Sequence, residues 1–186
     1  MRLPPPSTPW YLRPLHGWQR RRHGTVLQPT SLWTYRPRAL LAFQILFAAL
    51  RRRKSPLPRA MRTLVSLRVS QMNGCAFCVD LNASMLSAGG IDEERALAVA
   101  DWRDQECFSN NERLALHYAE AMTITPPDVG DALFRQLRAA FSAEAIVELT
   151  AVIAFQNMSA RFNSTLQADS HGFCGLRSAA TVAKRA

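Results

Sequence analysis

Apolar side chains recur every three or four positions between residues 38 and 168, and no stretch there alternates apolar and polar residues as a strand does. The pattern predicts seven helices with short connections. The second, Arg59 to Met72, has the widest apolar surface, so we expect it to be central and buried. The longest runs from Ser142 to about Leu166, and its inner stripe consists of Ile146, Leu149, Ile153, Asn157 and Ala160. The chain is therefore predicted to form an all-α domain.

Residue types that favour helix ends mark most of the other boundaries. The first helix is predicted over Arg38 to Arg53, and a third begins near Cys75. Asp92 is the expected N-cap of a fourth. Ser109 and Glu112 have the spacing of a capping box at the start of a fifth. Four apolar residues at helical spacing mark a sixth: Val129, Leu133, Leu137 and Phe141.

Two terminal segments differ in composition from this domain. Residues 1–37 are rich in proline and are predicted to be an extended arm, and residues 169–186 are predicted to be a tail. The longest apolar run, Ala39 to Leu50, is interrupted by Gln44 and is too short to span a bilayer, which needs about 20 residues. We see no signal peptide, and four cysteines do not indicate a secreted, disulfide-stapled domain. We therefore expect a cytoplasmic protein.

The positive charge of the chain is concentrated near its beginning. Residues 1–79 contain fourteen Arg or Lys and no acid, whereas the remaining 107 residues contain nine bases and fourteen acids. Aromatic residues interleave with these bases, as in single-strand nucleic-acid binders: Trp10, Tyr11, Trp18, Trp33 and Tyr35. The alternative is an arm that packs on its own domain or on a neighbouring subunit. We favour the second interpretation because no nucleic-acid-binding motif accompanies the charge.

The most informative chemistry lies at Cys75-Ala76-Phe77-Cys78, directly after the helix breaker Asn73-Gly74. Thiols at i and i+3 of a helix lie on one face, and the first turn favours a thiolate. Zinc would need four ligands, and a second Cys-x-x-Cys or a His pair is missing. A buried structural pair remains an alternative, but dithiol–disulfide chemistry is favoured. From helix position alone, Cys75 would be the stronger thiolate. We expect no metal or cofactor.

The segment from Leu64 to Leu81, LVSLRVSQMNGCAFCVDL, resembles the signature of the carboxymuconolactone decarboxylase/AhpD-like family. Stretches such as Ala88-Gly89-Gly90 and Val147-Glu148-Leu149-Thr150 extend the resemblance over about residues 38–168. It implies an AhpD-like all-α fold that forms homo-oligomers, typically trimers or hexamers. It also implies thiol-dependent reduction of alkyl hydroperoxides, in which Cys78 attacks the peroxide, Cys75 resolves the sulfenic acid, and an external dithiol or thioredoxin-like reductant restores the pair.

The chain departs from the family pattern at the proton relay. The resemblance would place a histidine at position 82 and a glutamate at position 63, where this chain has Asn82 and Thr63. Asn is not a base and Thr is a poor one, although Asn82 lies one turn after Cys78 and could hydrogen-bond a thiolate or orient a water. General-base assistance is typically worth about 10²–10⁴-fold, so we expect slow, pH-dependent peroxidase turnover.

Other groups and functions were weighed against this interpretation. Asp80 is interpreted as a helix-start or surface carboxylate, and His117 as a core or interface histidine, while ligand roles for His16, His23 and His171 have little support. The alternative function is a non-catalytic oligomeric redox sensor or scaffold. Lactone decarboxylation is disfavoured because the sequence reveals no cluster of His and Arg suited to that substrate. The glycosylation triplets at Asn157 and Asn163 fall in a predicted helix and are discounted.

Overall fold

The computed structural model describes residues 1–90 and 93–174, and within these ranges it contains helices and no strand. The α-helices are α1 (Arg13–His23), α2 (Gln28–Trp33), α3 (Pro37–Leu50), α4 (Arg59–Met72), α5 (Ala76–Ser87), α6 (Glu93–Ala98), α7 (Asn110–Thr123), α8 (Asp131–Ala140) and α9 (Ala143–Thr165). Two 3₁₀ segments, Trp10–Leu12 and Val99–Asp104, precede α1 and follow α6. The prediction of an all-α fold is confirmed.

Helix α4 is the centre of the domain, as its wide apolar surface predicted. It packs against α5, α7 and α9, and most of its residues are buried. Val65 and Val69 join a core cluster with Leu149 and Ile153 of α9. On its other side, Leu64 and Leu67 join a second cluster, whose members from α5 are Val79, Ala83 and Leu86. An amphipathic helix has one apolar stripe, whereas a helix between two cores needs apolar residues on both sides.

Several predicted helix ends agree with the structure. Ser109 caps α7 with a capping box, because its Oγ accepts a hydrogen bond from the Glu112 N–H and the Glu112 side chain accepts one from the Ser109 N–H. Ser142 caps α9 by accepting from the Ala145 N–H at 3.2 Å. Asp92, the expected N-cap of the fourth predicted helix, lies outside the described residues.

The expectation of an extended arm over residues 1–37 is wrong, since α1 and α2 lie within it. The buried imidazole of His16 on α1 hydrogen-bonds the hydroxyls of Thr8 and Thr34. On α2, the ring of Trp33 stacks 4.1 Å from that of Phe162 on α9. The arginines at the end of α1 also suit the negative end of its dipole. Tertiary contacts therefore hold a segment whose proline content suggested extended chain.

One apolar face of α3 is left exposed by the described part of the chain. Leu41, Ile45 and Leu46 are exposed, and Ile45 retains 72% of its accessible surface. Among the described residues, no helix is both long enough and apolar enough to cross a membrane.

Candidate active site

The two cysteines of the motif lie at the turn between α4 and α5. Gly74 has φ +59°, a left-handed conformation that L side chains rarely adopt, and it reverses the chain directly after α4. Cys75 is the N-cap of α5, and its Sγ accepts the Cys78 N–H at 3.2 Å. The Cα atoms are 5.2 Å apart and the two Sγ atoms lie at bonding distance, so the pair forms a disulfide.

The two cysteines differ in what their sulfurs face. Both residues are buried, but Cys78 lines a cavity of about 560 Å³, which we call the thiol cavity, and Cys75 is not among its lining residues. The cavity wall is largely aromatic around Cys78, with contributions from α3, α5, α9 and the C-terminal residues: Phe43, Phe47, Phe77, Phe155 and Phe173. A molecule entering this cavity would meet Cys78 rather than Cys75.

A buried amide is the polar neighbour of Cys78. The Nδ2 of Asn163, on α9, donates to Cys78 Sγ at 3.3 Å, and its Oδ1 has no partner among the described residues. An N–H aimed at sulfur stabilises a thiolate or a polar oxidised form. This contact does not follow from the sequence, because 85 residues separate the two side chains. Asn163 is buried, which agrees with discounting its glycosylation triplet.

The two positions of the missing relay are both buried but have different partners. Asn82 donates to the Cys78 carbonyl at 2.9 Å and to Ser70 Oγ at 3.3 Å. Its Oδ1 accepts from Arg51 Nη2 at 3.1 Å. Thr63 donates to the carbonyl of Arg59, one turn earlier in α4. Within the described part of the chain no hydrogen bond joins Thr63 to Asn82, and their roles in catalysis stay predictions.

The interpretation of Asp80 as a surface carboxylate is wrong. Its side chain is buried, and its two oxygens accept four hydrogen bonds from residues 169–174, which we call the tail segment. Three of these donors are backbone N–H groups, which no pattern in the sequence reveals. Phe173 of the tail segment lines the thiol cavity. Asp80 therefore fastens the tail segment beside the thiol cavity.

Histidines approach the thiol cavity from both ends of the chain. His23 of α1 lines it, and burial lowers the pKa of that imidazole, as do the charges of Arg22 and His171. The ring of His171 lies 5.5 Å from that of Phe77, and burial lowers its pKa although Asp80 and Asp169 oppose this. Burial therefore favours the neutral form of both rings. His117 is exposed and not in the core.

A second cavity, of about 710 Å³, adjoins the thiol cavity, and we call it the arginine cavity. Arg51, Arg59 and Arg62 line it, together with Thr63 and Ser66. Burial lowers the pKa of Arg51 to about 10, and the charges of Arg59 and Arg62 add to this effect. These arginines come from separate stretches of the chain on either side of the turn between α3 and α4, so the sequence alone does not show that they share one cavity. Among the described residues, no group of three or more His, Cys, Asp or Glu is placed to hold a metal ion.

Comparison with known proteins supports a family assignment. Residues 37–121 match the model of the carboxymuconolactone decarboxylase family. The chain is 45% identical to the Escherichia coli K12 protein named Uncharacterized protein YnjA over 175 residues, covering 94% of this chain and 96% of YnjA. The chain also superposes on an AhpD core, an uncharacterized peroxidase-related protein from Ralstonia eutropha JMP134, with a TM-score of 0.80, 23% identity and 91% of each chain covered.

A further solved structure is that of the debrominase Bmp8, in a cysteine-to-alanine variant with 2,3,4-tribromopyrrole bound, which matches with a TM-score of 0.76 and 19% identity. The match covers 94% of this chain and 90% of Bmp8. At such identity the likeness shows the fold alone, which therefore accommodates more than one reaction. The long, near-complete match to YnjA and the family match around the cysteine motif lead to one conclusion. The chain has the AhpD-like helical fold and belongs to the carboxymuconolactone decarboxylase family.

Proposed function

We propose that the protein is a thiol-dependent peroxidase that reduces organic hydroperoxides through a dithiol–disulfide cycle of Cys75 and Cys78. The observation that carries this proposal is the position of Cys78, which lines a largely apolar cavity while its sulfur lies at bonding distance from a second, fully buried sulfur. In this arrangement the Cys78 sulfur contacts the substrate, and the Cys75 sulfur is positioned to resolve the oxidised product. The family match and the AhpD-like neighbour support the same class of chemistry.

The cycle balances with the two thiols as reductant. The Cys78 thiolate attacks the distal peroxide oxygen, the O–O bond breaks, and the alkoxide takes a proton to leave as the alcohol. The resulting sulfenic acid is attacked by the Cys75 thiolate, and water leaves as the disulfide forms. An external dithiol or thioredoxin-like protein then returns two electrons and two protons. The proposed cycle needs a reducing compartment, which is why we place the protein in the cytoplasm.

The surroundings of Cys78 support slow proton transfer. Its polar partner is the amide of Asn163, and Asn82 is engaged by Ser70, the Cys78 carbonyl and Arg51. Within the described ranges, hydrogen bonds to Cys78 Sγ come from no carboxylate or imidazole. Loss of a general base costs about 10²–10⁴-fold in rate. The Asn163 N–H compensates in part, since it stabilises negative charge on the sulfur.

A single-turnover experiment tests the roles of the two cysteines. The reduced protein should consume one equivalent of cumene hydroperoxide and form the Cys75–Cys78 disulfide. Cys75→Ser should also consume one equivalent but accumulate a sulfenic acid at Cys78, which dimedone traps. Cys78→Ser should consume none, and the matched control Cys107→Ser, at an exposed free cysteine, should behave like wild type. Peroxide consumption that persists in Cys78→Ser refutes the proposal.

A non-catalytic redox sensor is the second candidate, and the absence of an ionisable hydrogen-bond partner at Cys78 among the described residues favours it. A sensor forms the same disulfide under oxidant but does not turn over. Steady-state peroxide consumption with a dithiol or thioredoxin-like donor therefore separates the two functions. Rates indistinguishable from those of Cys78→Ser would favour the sensor.

Both candidates are proposed to act as a homo-oligomer, a trimer or a hexamer. The uncovered face of α3 supports self-association, because a row of exposed leucine and isoleucine side chains is costly in water. Replacing Ile45, the most exposed of them, with Glu should lower the mass measured by light scattering. An unchanged mass would exclude this face.

A further inference from the structure

The arginine cavity and the thiol cavity share part of their walls. The residues common to both are Phe47, Arg51, Arg59, Phe155 and Gln156. A bound molecule can therefore contact arginine side chains at one end and Cys78 at the other. Combined pockets with a long apolar wall and a few polar groups at one end are typical of sites for amphipathic ligands.

The charge of the arginine cavity is only partly neutralised by the protein. Among the described residues, neither Arg51 nor Arg59 has a carboxylate within 4.0 Å. The side chain of Arg62 is only 7% exposed and ion-pairs with Glu148 at 3.5 Å. An uncompensated guanidinium in a half-buried wall is costly unless an anion joins it.

Arg62 adds an unmatched donor to this wall. Two of its nitrogens donate to the carbonyls of Leu50 and Arg52, but among the described residues its buried Nε–H has no partner. Buried arginine donors are normally satisfied, so this one adds to the unmet positive character of the cavity.

We propose that the arginine cavity binds the carboxylate of the substrate, so that the peroxidase acts on organic hydroperoxides that carry a carboxylate at the end of an apolar body. This inference rests on the proposed function. A carboxylate presents two acceptor oxygens, which match guanidinium donors from Arg51 and Arg59. The apolar body then lies against Phe47 and Phe155, which continue into the thiol cavity.

The hydrogen bonds around Asn82 link the two ends of this site. Arg51 Nη2 donates to Asn82 Oδ1, and Asn82 lies one turn after Cys78 and donates to its carbonyl. Only one side chain thus separates Arg51 from the residue that carries the reacting sulfur. A carboxylate held at Arg51 keeps the rest of the substrate in the aromatic wall next to Cys78 Sγ, which is how remote binding energy positions a reacting group.

Equilibrium binding tests the site without any thiol chemistry. Calorimetry on the full chain with the disulfide formed compares 5-phenylpentanoate with its neutral primary amide. We expect the acid to bind about 10- to 100-fold more tightly, the effect of a charge-assisted hydrogen bond pair. Arg59→Gln should remove most of this preference. Because Arg59 makes no side-chain ion pair within the described residues, the variant is expected to fold like wild type. The control Arg135→Gln, at an exposed arginine of α8, should keep it.

The outcomes separate this inference from the proposed function. Equal binding of acid and amide, or a preference that survives both Arg59→Gln and Arg51→Gln, overturns the carboxylate site. Inorganic phosphate that binds as tightly as the acid shows a general anion site and overturns the substrate class. In kinetics, Arg59→Gln should raise the KM for linoleic acid hydroperoxide but not for its methyl ester. If no hydroperoxide is consumed but the protein still prefers the acid to the amide, the peroxidase function is refuted and the carboxylate site is supported.

Discussion

The carboxylate of Asp80 holds the tail segment over the thiol cavity, and its replacement is predicted to release that segment. Its Oδ2 accepts from Ser170 Oγ at 2.9 Å and from the N–H groups of His171 at 2.9 Å and Phe173 at 3.1 Å. Its Oδ1 accepts from the Cys174 N–H at 2.8 Å. Because the ring of Phe173 lines the cavity, releasing the segment opens a path to Cys78.

The size of the effect follows from the bonds that each variant can keep. In Asp80→Asn the amide oxygen can occupy the Oδ2 position and keep three bonds without charge assistance, while the bond to Cys174 is lost. Hydrogen bonds to charged groups are worth about 1.5–3 kcal/mol and neutral ones about 1 kcal/mol, so three weakened bonds and one lost bond together weaken the docking of the tail segment by at least about 3 kcal/mol. The open population should then rise roughly 100-fold or more. Asp80→Ala removes all four bonds and should release residues 170–174, although Asp169 keeps its hydrogen bonds to Gln28.

Amide hydrogen exchange measures this opening directly. The N–H groups of His171, Phe173 and Cys174 should exchange faster in Asp80→Asn, and iodoacetamide should alkylate reduced Cys78 faster. Ser170→Ala removes one side-chain donor and leaves the backbone bonds, so it should show a much smaller change. Exchange rates in Asp80→Asn equal to those of wild type would show that Asp80 does not anchor the tail segment. An unchanged rate of Cys78 alkylation would show that the tail segment does not limit access to the thiol cavity.

Three further predictions concern stability, pH and the relay. Leu149→Ala, in the core between α4 and α9, should lower the free energy of unfolding in urea by about 2–5 kcal/mol. The control Val147→Ala, at an exposed position, should change that free energy by less than about 0.5 kcal/mol. Equal effects of the two substitutions would contradict the packing. Burial, and to a lesser extent the charge of Arg20, lowers the pKa of His16 below its ordinary 6.5. Its contribution to stability is therefore complete above pH 6.5 and is lost as the pH falls below that value, where the unfolded chain takes up the proton more readily. The urea midpoint should drop between pH 7.5 and pH 5.5, and it should drop less in His16→Gln; an equal drop in both proteins would exclude this histidine. Thr63→Glu with Asn82→His should raise peroxide turnover by up to about 10²-fold, and no gain over wild type would argue against relay geometry.

Local signals in the sequence predicted the helical core well. Helix α4 was predicted over the residues that form it, because its apolar residues repeat at a helical period and Pro58 precedes its first residue. The start of α7 followed from Ser109 and Glu112, which satisfy each other's backbone within four residues. Such features depend on neighbours along the chain, so a single sequence reveals them.

The candidate site depends on contacts that a single sequence does not reveal. Asn163 meets Cys78 across 85 residues, and Asp80 meets Cys174 across 94. The helices of the first 37 residues depend on the packing of Trp33 against Phe43 and Phe162 rather than on their own periodicity. The spacing of the two cysteines predicted the redox pair, and the resemblance to a known family supplied its order of reaction. Neither gave a sign of the arginine cavity, whose residues lie on either side of the segment from Ser55 to Pro58.

The presence of Asn82 in place of a histidine is consistent with the position of Arg51 beside it. The Asn82 amide accepts from the guanidinium through Oδ1 and donates through Nδ2 to both Ser70 Oγ and the Cys78 carbonyl, whereas a neutral imidazole has a single N–H and cannot donate to both. The positive charge of Arg51 would also lower the pKa of a histidine at position 82, so that histidine would be a weak base there unless a carboxylate offset the charge. This is why the relay substitutions are predicted to act as a pair, with the carboxylate from Thr63→Glu facing the same cavity as Arg51. Under the proposed function, this chain has an amide and a fixed positive charge where the family pattern has a proton relay. Such a site favours the binding of an anionic peroxide over rapid proton transfer.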